Sequence, residues 1–170
     1  MAGYNQRMNK QLYQAASDLS SSELEKNLGA FFGSIMGTLN HIVVGDVLWL
    51  SRFSSHSSTY KSLLNIENYP KPNSLDEKIY SDFNELYLVR AEIDKIIIDW
   101  VGETSEDEFE NNFLYRNSQG IESNRKFGEV VSHLFNHQTH HRGQVTTLLC
   151  QNGRDVGSTD YIIDVPNNQA

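Results

Sequence analysis

Two histidines four residues apart, His137 and His141, lie in Asn136-His137-Gln138-Thr139-His140-His141-Arg142-Gly143-Gln144, near the end of a long apolar-periodic segment. On an α-helix that spacing puts both rings on one face, one turn apart, close enough to share a metal ion. One helix supplies only two ligands this way, so a working site needs a third from elsewhere. His41, in Thr38-Leu39-Asn40-His41-Ile42-Val43-Val44-Gly45-Asp46, is the histidine set well inside another apolar helical run. One His plus an H-x-x-x-H pair is the ligand set of an open three-histidine site. Neutral imidazoles suit Zn(II), Ni(II) or Fe(II) and leave positions free for water or substrate. Gln138 stands where the base of H-E-x-x-H would be, so metalloprotease chemistry is not supported. His133, four residues before His137, makes the competing pair. The His137/His141 pair is preferred because Leu134, Gln138, Val145 and Leu148 continue an inward stripe around it. His140 points about 100° away from His141 and reads as a surface residue or as one that supports a ligand from behind.

The elements that must position these rings follow from periodicity. Met8, Leu12, Ala15 and Ala16 mark a one-sided first helix over about 4–18, and Ser20 with Glu23 forms a capping box after it. A second helical segment runs through Leu28, Phe31, Phe32, Ile35, Leu39, Ile42 and Val43 to Trp49 and Phe53, punctuated by glycines. Residues 54–73, rich in Ser and Asn with Pro70 and Pro72, form a connecting loop in which His56 is expected to be exposed. Asn73 or Ser74 caps a third helix with Asp76 and Glu77 in its first turn. Ile79, Phe83, Leu86, Leu88, Ile93, Ile96, Ile97 and Trp100 form its inward face, and Asp82, Glu85, Glu92, Asp94 and Lys95 its solvated side. From Gly102 to about Arg125 a small β-hairpin is expected around Gly120, with Tyr115 and Arg116 candidates for the site mouth. The last helix begins at Ser123 or Asn124 and ends before Gly153. It carries Gly143, expected to let a neighbouring helix pack close, and Cys150, expected to be buried or half-buried. The apolar stretch Thr159–Pro166 should dock on the body, and Asn167–Ala170 should be loose. The fold class is therefore all-α, a four-helix bundle with a short extended or hairpin insertion before the last helix, over a single domain 1–170.

Four further side chains are candidates for the pocket or for supporting the ligands: Asp46, Arg52, Gln138 and Arg142. Asp46 lies about 140° round the helix from His41, so it is not an obvious ligand. It is placed to orient a ligand histidine or to pair with Arg52 or Arg142. Arg52 is either a pocket anion binder or a salt-bridge partner at the bundle end.

Composition bounds the rest. With 170 residues, 38% hydrophobic and 21% charged, the chain is expected to be a soluble globular protein with one real core. Fourteen Lys and Arg against twenty-two Asp and Glu leave −8, the wrong sign for nucleic-acid binding. No apolar run approaches the roughly 20 residues of a membrane helix. The N-terminus lacks a secretory h-region and Cys150 stands alone, so a cytoplasmic setting is expected.

The run His133-Leu134-Phe135-Asn136-His137 through His141-Arg142-Gly143-Gln144 resembles the C-terminal motif of the DinB/YfiT superfamily. Leu39-Asn40-His41-Ile42-x-x-Gly45-Asp46-x-x-Trp49-x-x-Arg52 resembles that family's first-ligand helix, and the two motifs fall in the family's order. The resemblance implies a four-helix bundle, commonly a homodimer, with ligands mapping onto His41, His137 and His141. It also implies one divalent ion, Zn or Ni first and Fe next. Some relatives look like metal-dependent thiol transferases, others like hydrolases. No carboxylate or cysteine presents itself as nucleophile, so the attacking group would be water or a small cosubstrate thiol held by the metal. The alternative from another class is a non-catalytic metal-binding stress-response protein, its site closed by a fourth protein ligand, His133 or Asp46.

Overall fold

The computed structural model describes residues 1–167. Four long helices make the body: α1 (Ala2–Ala16), α3 (Ile35–Ser54), α4 (Phe83–Glu103) and α5 (Phe127–Gln151). The short α2 (Ser21–Glu25) lies between the first two. In section α1 packs against α4 and α5, and α3 packs against the same two, so α1 faces α3 across the bundle. Leu12, Leu39, Val43, Leu50, Leu86, Ile93, Ile97, Leu134, Val145 and Leu149 fill the core between them. A two-stranded antiparallel sheet, β1 (Asn112–Arg116) and β2 (Glu122–Lys126), sits before the last helix, with Leu114 opposite Asn124. Among the described residues no helix is long and apolar enough to cross a membrane.

Three helix starts differ from the sequence expectation, each for a local reason. The second long helix begins at Ile35, because Gly29 and Gly33 both take φ 74° and Ser34 then caps, its Oγ accepting from the Gly37 amide at 3.0 Å. Residues 26–34 are turns. Phe31 is 86% exposed at their tip, whereas Phe32 turns back towards α3.

The third long helix begins at Phe83, capped by Asp82, some nine residues later than expected. Asn40 is responsible. Its buried amide donates to the Tyr80 carbonyl at 3.0 Å and accepts from the Tyr80 amide at 3.0 Å, as a strand partner would. That contact satisfies the backbone in extended form and ties the segment 73–82 to α3. The last helix begins at Phe127 because Glu122–Lys126 are paired in the sheet.

Several side chains face other ways than expected. Leu88 is exposed and Asp94 is buried. Cys150 is exposed. His56 is half-buried, stacked on Phe127 at 4.2 Å between ring centres, in an aromatic cluster that also holds Phe53, Trp100 and Phe113. The hairpin closes that end of the bundle through Phe113. The segment after α5 docks on α1: Tyr161 packs edge-on against Tyr4, and Asp164 pairs with Arg7 at 2.7 Å. Of the tail expected to be loose, residues 168–170 lie outside the described residues.

Candidate metal centre

Helix α3 carries His41 and α5 carries His137 and His141, and the packing of these two helices brings one nitrogen of each ring within 4.8 Å of the others. The Nε2 atoms of His41 and His137 stand 3.0 Å apart. His41 Nδ1–H donates to the Leu75 carbonyl at 2.7 Å, and His141 Nδ1–H to Gln144 Oε1 at 2.9 Å. A carbonyl oxygen only accepts, so each Nδ1 carries the proton and each Nε2 keeps its lone pair for another partner. Such outer contacts are what orient metal-binding imidazoles. Nδ1 of His137 is buried without a partner.

The His137 ring turns its Cε1 edge against α3 at Gly45. A Cβ there would sit 2.7 Å from its Cε1 and 3.3 Å from its Nδ1, so only glycine leaves the ring its place. Close packing of a neighbouring helix was expected at Gly143, where an added Cβ would meet nothing within 4 Å. Phe32 walls the opposite side, stacked on His41 with ring centres 3.7 Å apart. Burial lowers the pKa of all three histidines, and for His137 the adjoining His141 and His41 push it further, to about 3. At neutral pH the three rings are uncharged, the form that binds a metal.

His133, the competing candidate, is exposed on the far side of His137, its ring centre 6.0 Å away and packed against Trp49. His140 is exposed and meets Gln144 Nε2 at 3.2 Å.

Three of the four supporting candidates face away from the histidines, into the bundle. Asp46 touches neither a ligand ring nor Arg52. Its carboxylate takes the Arg90 guanidinium on one oxygen and Gln138 Nε2, at 2.7 Å, on the other. Arg142 donates to Gln138 Oε1 at 3.1 Å and to Asn5 Oδ1. Arg90 also pairs with Asp94 at 3.0 Å, which accepts from Asn9 Nδ2 at 2.8 Å. Two carboxylates and two guanidiniums thus meet in a buried layer with side chains from all four long helices. Burial pushes the Asp46 carboxyl up, against the pull of Arg90, and lowers Arg142 to about 10. Gln138 and Arg142 are the helical neighbours of His137 and His141, so this layer sets the register that puts α5's histidines opposite His41.

Sequence reasoning missed Arg90, Asn5, Asn9, Phe32 and the Leu75 carbonyl, and noted Gly45 only as part of the motif on its helix, not as the seat of the His137 ring. Only Asn5 and Asn9 left a signal, lying one turn apart on the stripe that carries Met8 and Leu12. A backbone carbonyl leaves none.

Arg52 is placed differently. With His41, Gly45, Trp49, Leu75, Tyr115, His133 and His137 it lines a cavity of about 260 Å³ that opens beside the histidines. Tyr115 is therefore at the site mouth as expected, whereas Arg116 is spent on Glu122 and the Gly120 carbonyl.

The curated Protein DinB of Bacillus subtilis (strain 168) is 23% identical over 158 residues, which are 93% of this chain and 87% of that protein. No solved structure matches. The family model described as DinB family matches residues 1–167, and the chain belongs to that family.

Proposed function

We propose that His41, His137 and His141 together bind one divalent metal ion, Zn or Ni before Fe, and that the protein is a metal-dependent enzyme. The observation that carries this reading is the convergence of three neutral imidazoles, two with the second nitrogen already committed to an acceptor. Three nitrogens of borderline softness suit these ions better than Mg or Ca, which prefer oxygen. The ion, when bound, supplies Lewis acidity, lowering the pKa of a water or thiol that reaches it. The protein's own share is to hold the rings neutral, orient them through Leu75 and Gln144, and keep a cavity open on the His41/His137 side.

An open cavity beside three ligands favours catalysis over a closed structural site. Neither candidate for a fourth ligand supports closure: Asp46 is committed to Arg90 and Gln138, and His133 lies outside the cluster. Between the two chemistries, transfer to a small thiol and hydrolysis, the residues place no general base within the cluster, which favours a nucleophile activated by the ion alone. The test is the visible spectrum of the cobalt-substituted protein during titration with small thiols. Appearance of a sulfur-to-cobalt charge-transfer band supports an open, thiol-accepting site. A tetrahedral spectrum unmoved by thiol or azide would indicate a closed structural site and overturn the enzyme reading.

A further inference from the structure

The least explained charge on the protein is Arg52. Arg7, Arg90, Arg116 and Arg154 are each paired with a carboxylate, Arg142 donates to Asn5, Gln138 and Thr139, and Arg125 is exposed to solvent. Arg52 is half-buried, yet among the described residues its guanidinium has no carboxylate partner and donates no hydrogen bond to the protein. Its Cζ lies 4.6 Å from the centre of the Trp49 ring and 5.8 Å from that of Tyr115, with the two rings meeting at 64°. Stacking of this kind holds a guanidinium in place while leaving its N–H edge free, and that edge matches a carboxylate in two parallel hydrogen bonds. Burial lowers the Arg52 pKa and only Tyr115 pulls the other way, so the charge is uncompensated by the protein itself.

Position gives this cation a purpose. His41, Gly45, Trp49 and Arg52 follow one face of α3, and the ends of that row are about three turns, or roughly 16 Å along the axis, apart. The same cavity touches both ends, with Leu48 and Leu75 as apolar wall between them. We propose that this cavity is a binding site for a small, elongated monocarboxylate. Its carboxylate pairs with Arg52, and its apolar stem lies along Trp49 and Leu75. Its far end is presented to His41 and His137. One guanidinium in a chain of net charge −8 matches a single negative charge better than the near-dianion of a phosphate ester. At about 260 Å³ the space is at the small end for ligand pockets, which excludes a polymer. The meaning of the far end rests on the metal reading above; the carboxylate subsite does not.

Trp49 makes the test direct, because it lines the cavity whereas Trp100 is sealed in the core. Metal-free wild type, Arg52→Gln and Arg52→Lys are titrated with hexanoate, hexanol and hexyl phosphate while tryptophan fluorescence is followed. Wild type should bind hexanoate about tenfold more tightly than hexanol, the usual worth of a charge-assisted hydrogen bond. Arg52→Gln should bring the two to parity with hexanol binding unchanged, and Arg52→Lys should keep part of the preference. Equal binding of acid and alcohol by wild type, or a preference surviving in Arg52→Gln, would overturn the subsite. Tighter binding of hexyl phosphate than of hexanoate would overturn the monocarboxylate assignment. Because no metal is present, failure here is distinct from failure of the metal site, which metal content decides.

Discussion

A methyl group at position 45 would fall 2.7 Å from Cε1 of His137, so Gly45→Ala must push that ring off α3. Alanine favours the helix by about 1 kcal/mol over glycine, and the fold itself should survive. The expected result is a metal affinity at least tenfold weaker, on the scale of lost ligand orientation, read by competition with a chelating dye. Gly143→Ala should do the opposite. With no atom within 4 Å of its Cβ it should leave metal binding alone and raise stability by up to about 1 kcal/mol in urea unfolding. Protonation acts on the same rings. All three have folded pKa values below the ordinary histidine value, so the unfolded chain takes up protons first as pH falls. Their contribution to metal-free stability is intact above about pH 6.5 and is lost as pH falls below it towards the folded values. The urea midpoint should therefore drop between about pH 6.5 and 5, above the carboxylate range, and drop less steeply in His137→Asn. The same slope in both proteins would contradict it. At this scale the three histidines that cluster were legible, because an i,i+4 pair and a histidine in a second apolar helical run stood out together. Gly45 and Leu75 were not, because nothing in their type says what leans on them.

At the scale of elements, the register between helices depends on the buried layer of Asp46, Arg90, Asp94, Gln138 and Arg142. Arg90→Leu removes the cation shared by Asp46 and Asp94 and leaves two carboxylates facing each other out of water. Breaking a buried pair this way costs about 3–5 kcal/mol, on the order of 10 °C in melting temperature for a chain of this length. A change within about 2 °C by calorimetry would show that the layer does not carry the fold. Asn40 acts on a different join. Asn40→Ala leaves the Tyr80 amide and carbonyl without partners, at a cost of about 1–3 kcal/mol. It also loosens the segment whose Leu75 carbonyl orients His41, so metal affinity should fall with stability. The amphipathic stripes showed the four long helices, but not their true starts at Phe83 and Phe127. Those were decided by Asn40, whose partner Tyr80 lies 40 residues away, and by the β1–β2 pairing, which runs on to Lys126 and so keeps 122–126 in the sheet. Asp94 was misread for a related reason: charge on a helix is normally outward, and only the partner Arg90 makes an inward one tolerable.

At the scale of the whole molecule, the polar layer and the histidine cluster occupy the two sides of the same α3–α5 contact. One sets the register that the other needs. The buried layer and the apolar core hold the fold together, and the histidines are held as neutral rings beside a cavity, an arrangement that helps the fold little by itself. That arrangement makes sense if a cation completes it. The central claim is tested most directly by the metal content of untagged protein purified without added metal, as wild type and as His41→Ala, His137→Ala, His141→Ala and His133→Ala. The expected result is about one divalent ion per chain in wild type and His133→Ala, and its loss in each of the other three with the helical circular dichroism retained. Wild-type protein that neither carries nor takes up a divalent ion, or one that loses it in His133→Ala and keeps it in His141→Ala, would contradict the site described.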